Sequence, residues 1–156
     1  MRLRVENADC AIVEVLYSNR FLVRVPKDLP TDLHQVEIET ALRLWMKQKV
    51  RRDALDFVRQ HGDTHDLRPQ GVRIKDLKHM WGSCGRDKFV NINWRLIFAP
   101  KTVLEYAVVH ELMHLRHRDH SPMFWRAMGK VLPDWRVRKK WLEKNDHLLT
   151  IAPRTV

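Results

Sequence analysis

The sequence is poor in cysteine: Cys10 and Cys84 are the only two among its 156 residues. So few thiols cannot build a disulfide framework, which favours a reducing compartment. No apolar run approaches the roughly 20 residues of a membrane-spanning helix, because charged residues interrupt every such run. The opening segment, residues 1–7, lacks the apolar core of a secretory signal. These absences predict a cytoplasmic protein with no membrane partner.

Glycine is also scarce, at five residues, and no Gly/Ser-rich linker, internal repeat or low-complexity segment divides the chain. Residues of the set AVILMFWYC make up 44% of the sequence, which excludes collagen-like, mucin-like and disordered classes. A chain of 156 residues is long enough to bury a core without disulfides or an obligatory partner. We therefore expect a single domain over residues 1–156.

Acidic residues are outnumbered, with 19 Asp and Glu against 29 Lys and Arg, which leaves a formal net charge of +10. Such a charge attracts polyanions in general. The basic residues are spread along the chain, however, and no block of five or six like charges has the character of a nucleic-acid-binding tail. We therefore do not predict a dedicated nucleic-acid site.

The order of strand and helix patterns is typical of an α+β fold. Apolar and polar residues alternate over 11–17 and 21–25, with Ser18-Asn19-Arg20 between them, which predicts a β-hairpin. A helix is predicted from Thr31 or Asp32 to about Arg59, broken by segment 61–66 with its Gly62. The other predicted elements are strands over 71–74 and 89–98, a turn over 81–85, and helices over about 102–116, 122–131 and 135–145.

The motif His110-Glu111-Leu112-Met113-His114 is the strongest chemical signal in the sequence. Residues i and i+4 of a helix lie on one face, so both imidazoles can reach one metal ion. Glu111 lies about 100° away around the axis and can act as general base on a zinc-activated water. The alternative is a chance match on an ordinary helix. The apolar run 106–109 indicates a buried helix, and a buried His-Glu-His face without a metal would carry a heavy desolvation cost.

Two histidines compete for the third ligand position that a catalytic zinc usually takes. His117 follows His110 by seven residues, about 10.5 Å along a straight helix, which is too far to converge on the same ion. His120 follows His114 by six residues, as does the third histidine of HExxHxxGxxH proteases. His117 takes the place of the glycine there, and histidine tolerates positive φ well enough to make a similar turn. We predict His110, His114 and His120 as metal ligands, with His117 either at the rim of the site or in contact with a ligand from outside.

Further motifs accompany this one in a fixed order, over about residues 72–142: Trp81-Gly82-Ser83-Cys84, Asn91-Ile92-Asn93-Trp94-Arg95-Leu96, Ala99-Pro100, Tyr106 to Leu115, His120-Ser121-Pro122-Met123-Phe124-Trp125 and Lys140-Trp141-Leu142. Together they resemble the YgjP-like metallopeptidase family, which is related to the SprT-like and WLM proteases. The resemblance implies a minimal zincin-like domain whose motif-bearing core is about 72–142. It also implies a Zn²⁺ cofactor held by His110, His114 and His120, with Glu111 catalytic.

Polar residues on the predicted strand 89–98 are candidates for substrate binding: Asn91, Asn93 and Arg95. In one interpretation this strand edges the metal cleft and pairs with an extended peptide by strand addition. In the other it is an ordinary half-buried strand. Tyr106 lies one helical turn before His110 and is a candidate for contact with the oxyanion.

The first functional interpretation is a zinc-dependent metallohydrolase that cleaves peptide bonds in a peptide or protein substrate. The second is a metal-dependent nucleoside triphosphate pyrophosphatase acting on UTP, since members of the resembled family have been linked to that reaction and the +10 charge suits a triphosphate. The third is a noncatalytic, zinc-stabilised adaptor, in which Glu111 would be unnecessary.

Overall fold

The computed structural model describes residues 3–150. Its elements, in chain order, are β1 (Leu3–Ala8), β2 (Glu14–Tyr17), β3 (Phe21–Pro26), α1 (Thr31–His65), β4 (Gly71–Lys75), β5 (Gly82–Cys84), β6 (Phe89–Asn93), a 3-10 helix (Trp94–Phe98), α2 (Lys101–Met113), α3 (Pro122–Val131), α4 (Trp135–Lys144) and α5 (His147–Thr150). The α+β class predicted from the sequence is confirmed. None of the helices described is both long enough and apolar enough to cross a membrane.

The residues fall into two compact units, one ending at Gln48 and one beginning at Lys49. The motif-bearing core predicted over about 72–142 lies entirely within the second unit. The expectation of a single domain over residues 1–156 stays a prediction.

The first unit contains a three-stranded sheet in the order β1-β3-β2. The predicted hairpin is present, with β2 antiparallel to β3 around residues 18–20, and β1 pairs with β3 in parallel. Alternation along β3 buries Phe21, Val23 and Val25. Tyr17, Phe21 and Trp45 form an aromatic cluster with ring centroids 4.8 to 5.4 Å apart.

Helix α1 does not break at Gly62, as the sequence predicted, but continues to His65. Gly62 is not the residue that ends the helix, because Asp66 takes the left-handed conformation there, with φ of 52°. The Leu67 N–H then donates to the Gly62 carbonyl at 3.0 Å, the long-range bond of a Schellman cap. A Cβ on residue 62 would lie 3.0 Å from the Leu67 carbonyl oxygen, so glycine here permits the chain to fold back.

The second unit contains a sheet in the order β4-β6-β5, in which β6 is parallel to β4 and antiparallel to β5. Two predictions are corrected here. The turn expected over 81–85 includes strand β5, and the strand expected over 89–98 ends at Asn93. The Asn93 side chain accepts a hydrogen bond from the Arg95 N–H at 3.1 Å, which caps a 3-10 helix in place of a continued strand.

Helix α2 packs against β5, β6, α3 and α4 within the second unit. It is buried around most of its circumference because residues 103–109 are almost wholly apolar. This burial fixes the rotation of the helix, and therefore the direction in which the His110 and Glu111 side chains leave it.

Candidate metal centre

Three histidine side chains meet at the carboxyl end of α2. His110 is in the last turn of α2, His114 is the C-cap residue on the same face, and His120 arrives from the loop before α3. One ring nitrogen of each lies within 4.8 Å of the others, and the His110 and His120 Nε2 atoms are 2.9 Å apart. Ligand nitrogens around a tetrahedral zinc lie about 3.3 Å apart, given Zn–N bonds of about 2.0–2.1 Å. The three side chains can therefore hold a metal ion.

The chain reaches His120 by tightening the end of the helix. The N–H groups of Leu115 and Arg116 donate to carbonyls three residues back, at 3.0 and 3.1 Å, which are 3-10 bonds. His117 does not take the positive φ that the sequence left possible, since Asp66 and Lys88 are the only non-glycine residues that do so among residues 3–150. The reversal is made by successive tight turns, which need no glycine.

Each helical histidine is oriented by a hydrogen bond on its Nδ1 atom. The His114 Nδ1 lies 2.9 Å from the His117 carbonyl oxygen, and the His110 Nδ1 lies 3.4 Å from the Tyr106 hydroxyl. An Nδ1–H donated to these oxygens leaves the Nε2 lone pair free for a metal. His117 thus contributes its main chain, and Tyr106 contacts a predicted ligand directly.

Two aromatic residues of α3 pack around the histidine rings. The Phe124 ring is fully buried and lies 4.8 to 4.9 Å from all three imidazole centroids. The Trp125 indole stacks on His120 at 5.6 Å. These rings hold the imidazoles in place and surround them with apolar surface. The motif that supports the family resemblance includes both aromatics, but their role emerges only from the packing.

The electrostatics of the histidines suit a metal site. Burial, followed by the neighbouring His114, His120 and Lys139, lowers the pKa of His110 to about 3. Burial also lowers the pKa of His114. Neutral imidazole is the form that binds a metal, so these two side chains are already in that form at neutral pH.

Glu111 is buried, with 6% of its surface exposed, and burial raises its pKa to about 8. A carboxyl group in such a place is protonated at neutral pH unless a cation lies within about 4–6 Å to favour the charged form. A metal ion held by the adjacent histidines would supply that cation. The donor set and the buried carboxyl therefore both fit a metal.

Gly82 of β5 lies against the Glu111 side chain, and its lack of a Cβ leaves room for that side chain. A Cβ on residue 82 would lie 2.9 Å from both Cγ and Oε1 of Glu111, and 3.0 Å from the Asn91 carbonyl oxygen. Only glycine permits this close approach of strand and carboxylate. Sequence reasoning did not assign Gly82 a role, although it lies in the Trp81-Gly82-Ser83-Cys84 motif.

Asn91 and Asn93 lie on the other face of the sheet from Glu111. Gly82 is paired with Ile92 across the sheet, and the Cβ position of Gly82 faces Glu111. Directly paired residues share a face and successive residues alternate, so the side chains next to Ile92 in the strand lie on the opposite face. The structure therefore does not bring Asn91 and Asn93 together with the three histidines.

The three residues predicted to bind substrate are all buried. The Asn93 amide donates to two main-chain carbonyls of the loop before β5, at 2.7 and 3.0 Å, and the Arg95 guanidinium pairs with the Asp76 carboxylate. The Asn91 amide donates to the Ser83 hydroxyl at 3.1 Å. Their role in substrate binding stays a prediction.

A cavity of about 280 Å³ opens beside His110 and Glu111. At the border of this cavity, the Trp81 indole N–H donates a hydrogen bond to the Asp146 carboxylate at 3.0 Å. The cavity combines an apolar wall with charged groups, and its remaining lining residues include Met80, Ala107, Leu142, Lys139 and Glu143.

Comparison with known proteins shows a family and a similar fold. A family model described as YgjP-like, metallopeptidase domain, matches residues 9–145. Among solved structures, the metallopeptidase zymogen of Pyrococcus abyssi abylysin is similar in fold, with a TM-score of 0.52 and 22% identity. The match covers 58% of this chain and 93% of the abylysin chain. No curated protein matches.

Proposed function

Because the chain belongs to the YgjP-like family of metallopeptidase domains, we propose that it is a zinc peptidase. In this proposal His110, His114 and His120 bind the zinc ion, and Glu111 is the general base. The convergence of three imidazoles next to a buried carboxyl group carries the proposal. Three histidines with a fourth position left open are the donor set of many catalytic zinc sites.

Zinc bound there would supply a Lewis acid that polarises the scissile carbonyl and makes water a stronger nucleophile near neutral pH. Glu111 accepts the proton as water attacks and delivers it to the leaving nitrogen. Gly82 keeps the Glu111 carboxylate close to β5, and the rings of Phe124 and Trp125 hold the imidazoles in one geometry. The Tyr106 hydroxyl and the His117 carbonyl fix the orientations of the His110 and His114 rings through hydrogen bonds at their Nδ1 atoms.

An extended peptide would bind along β5. The sequence suggested strand addition at β6, but β6 is central, with β4 and β5 on its two sides. In the sheet as described, β5 pairs on one side alone, and its Gly82 adjoins Glu111. Main-chain pairing with this edge would place a scissile bond beside the carboxylate. The 280 Å³ cavity beside His110 would then receive an adjacent substrate side chain.

The test compares a peptide substrate with a nucleotide. We expect the purified, zinc-loaded protein to cleave an unfolded polypeptide such as reduced casein, and to leave UTP intact. A chelator should abolish cleavage, and added zinc should restore it. Hydrolysis of UTP without cleavage of casein would contradict the proposal and favour the nucleotide interpretation. Inactivity toward both, with zinc bound, would favour the adaptor.

The substitution Gly82→Ala tests the space beside Glu111. The new methyl group would displace the carboxylate, since the distances of 2.9 Å to Cγ and Oε1 are too short for a real Cβ contact. Misplacement of a catalytic group by about 1 Å can cost on the order of 10²-fold in rate. We expect a loss of that size in kcat for casein peptides, with zinc content unchanged.

Gly129→Ala is the matched control, because a Cβ at residue 129 would approach its nearest neighbour, Trp135, only to 3.4 Å. This variant should retain wild-type kcat. Equal kcat values in the two alanine variants would show that the close approach at Gly82 has no part in turnover.

A further inference from the structure

A second cavity, of about 420 Å³, is bordered by the segment that follows α2. It is formed by the end of α1, the turn after α2 and one face of α3. None of His110, Glu111, His114 or His120 lines it. Its polar lining consists of basic and imidazole side chains: Arg116, Arg126, Lys130, His65 and His117. No acidic residue among those described lines it.

Among residues 3–150, Arg116, Arg126 and Lys130 of this cavity have no carboxylate partner, whereas some other basic residues of the unit do. Arg138 of α4 pairs with two carboxylates, for example. Arg126 and Lys130 lie at i and i+4 on α3, and within residues 3–150 neither has an ion pair or a side-chain hydrogen bond. Within the described part of the chain, positive charge is therefore concentrated here without a paired carboxylate.

One of the cations is held in position. The Arg116 guanidinium donates to the carbonyls of His65 and Asp66, at 2.9 and 3.5 Å. Both hydrogen bonds come from the Nη2 atom of Arg116. The other N–H groups of the planar guanidinium therefore remain available to an anion. A group fixed in this way loses little conformational entropy on binding.

The rest of the cavity lining is apolar. Leu67 and Met113 are buried, and Ala127 and Val131 of α3 are half-buried beside them. Apolar surface next to concentrated positive charge suits a ligand that has an anionic group and an apolar body.

We propose that this cavity binds a phosphate group carried on a small apolar or aromatic body. Three cations around one cavity favour a dianionic phosphate monoester over a single carboxylate, and arginine forks match phosphate geometry. The site is separate from the metal centre, so this inference does not depend on the proposed peptidase activity. The phosphate could come from a free nucleotide or from a phosphorylated side chain, and the same groups would recognise both.

Calorimetric titration of the full-length protein as isolated tests this site. The probes are adenosine monophosphate and N-acetyl-phosphotyrosine amide, each compared with its dephosphorylated counterpart at about 0.15 M salt. We expect saturable binding of at least one phosphorylated probe and much weaker binding of its counterpart. The tighter phosphorylated probe identifies the source of the phosphate.

The double variant Arg126→Gln, Lys130→Gln should weaken that binding by about tenfold or more, since hydrogen bonds to charged groups are strong. The matched control is Arg136→Gln, Lys140→Gln, which removes the same two charges at the same spacing from exposed positions of α4. It should change affinity by less than about threefold, because neither residue lines the cavity and exposed charges are screened by salt. Absence of binding, equal binding of the dephosphorylated probe, or equal affinity in the two double variants would overturn the proposal.

Discussion

Replacement of Glu111 with glutamine is expected to lower turnover by about 10²–10⁴-fold, the usual contribution of a general base. Glutamine keeps the size and polarity of the side chain, so it fills the same space against Gly82. It cannot accept a proton, however, and the attacking water then loses its base. Zinc content should be unchanged, because Glu111 is not one of the three proposed ligands. The measurement is kcat for casein peptides, with zinc quantified in the same samples.

Glu105→Gln is the control on the same helix. Glu105 bonds to His61 and Arg138, so its loss affects helix packing while the proposed zinc ligands and Glu111 keep their positions. Its kcat should stay near that of the wild type at temperatures where the variant is folded. A zinc-loaded Glu111→Gln protein with normal turnover would show that another group is the base.

His120→Ala should lose far more zinc affinity than His117→Ala. The His120 Nε2 atom lies 2.9 Å from the His110 Nε2 atom, within the cluster that can hold the ion. The His117 side chain lines the other cavity, and the hydrogen bond of this residue to His114 is made by its carbonyl oxygen. Alanine keeps that carbonyl. We therefore expect the zinc affinity of His117→Ala to stay close to that of the wild type. The loss of zinc affinity in His120→Ala should exceed 10–100-fold, the range typical when a residue that hydrogen-bonds to a ligand is removed.

The two alanine variants should be compared by chelator competition at one pH, because protonation of the ligands changes the apparent affinity. Circular dichroism of each metal-free variant separates loss of zinc from loss of fold. The reverse order of affinities, with zinc lost from His117→Ala and kept by His120→Ala, would falsify the proposed ligand set.

Local geometry explains most of what the sequence predicted. Residues four apart on a helix share a face whatever the rest of the chain does, so the shared direction of His110 and His114 followed from their spacing. The hairpin and the proline-led start of α3 also follow from short-range patterns, and both are present in the structure. The burial of α2 followed from its apolar run.

The predicted ends of α1 and β6 were wrong because hydrogen bonds in the folded chain outweighed the local preference of the sequence. Gly62 indicated a helix end, yet the Leu67 N–H and the left-handed Asp66 moved that end to His65. Alternation indicated strand up to Phe98, yet the Asn93 side chain capped a 3-10 helix. In both places the observed conformation is stabilised by a hydrogen bond that the apolar and polar pattern does not show.

The sequence by itself determined the α+β class and the helix that carries His110 and Glu111 and is capped by His114, because both depend on periodicity and on contacts within a few residues. The tertiary structure alone decided that β5 borders the carboxylate, that Gly82 provides its space, and that Phe124 packs on all three imidazoles. These relations join segments that are far apart in the chain. They depend on which surfaces pack together, and no short-range pattern records that choice.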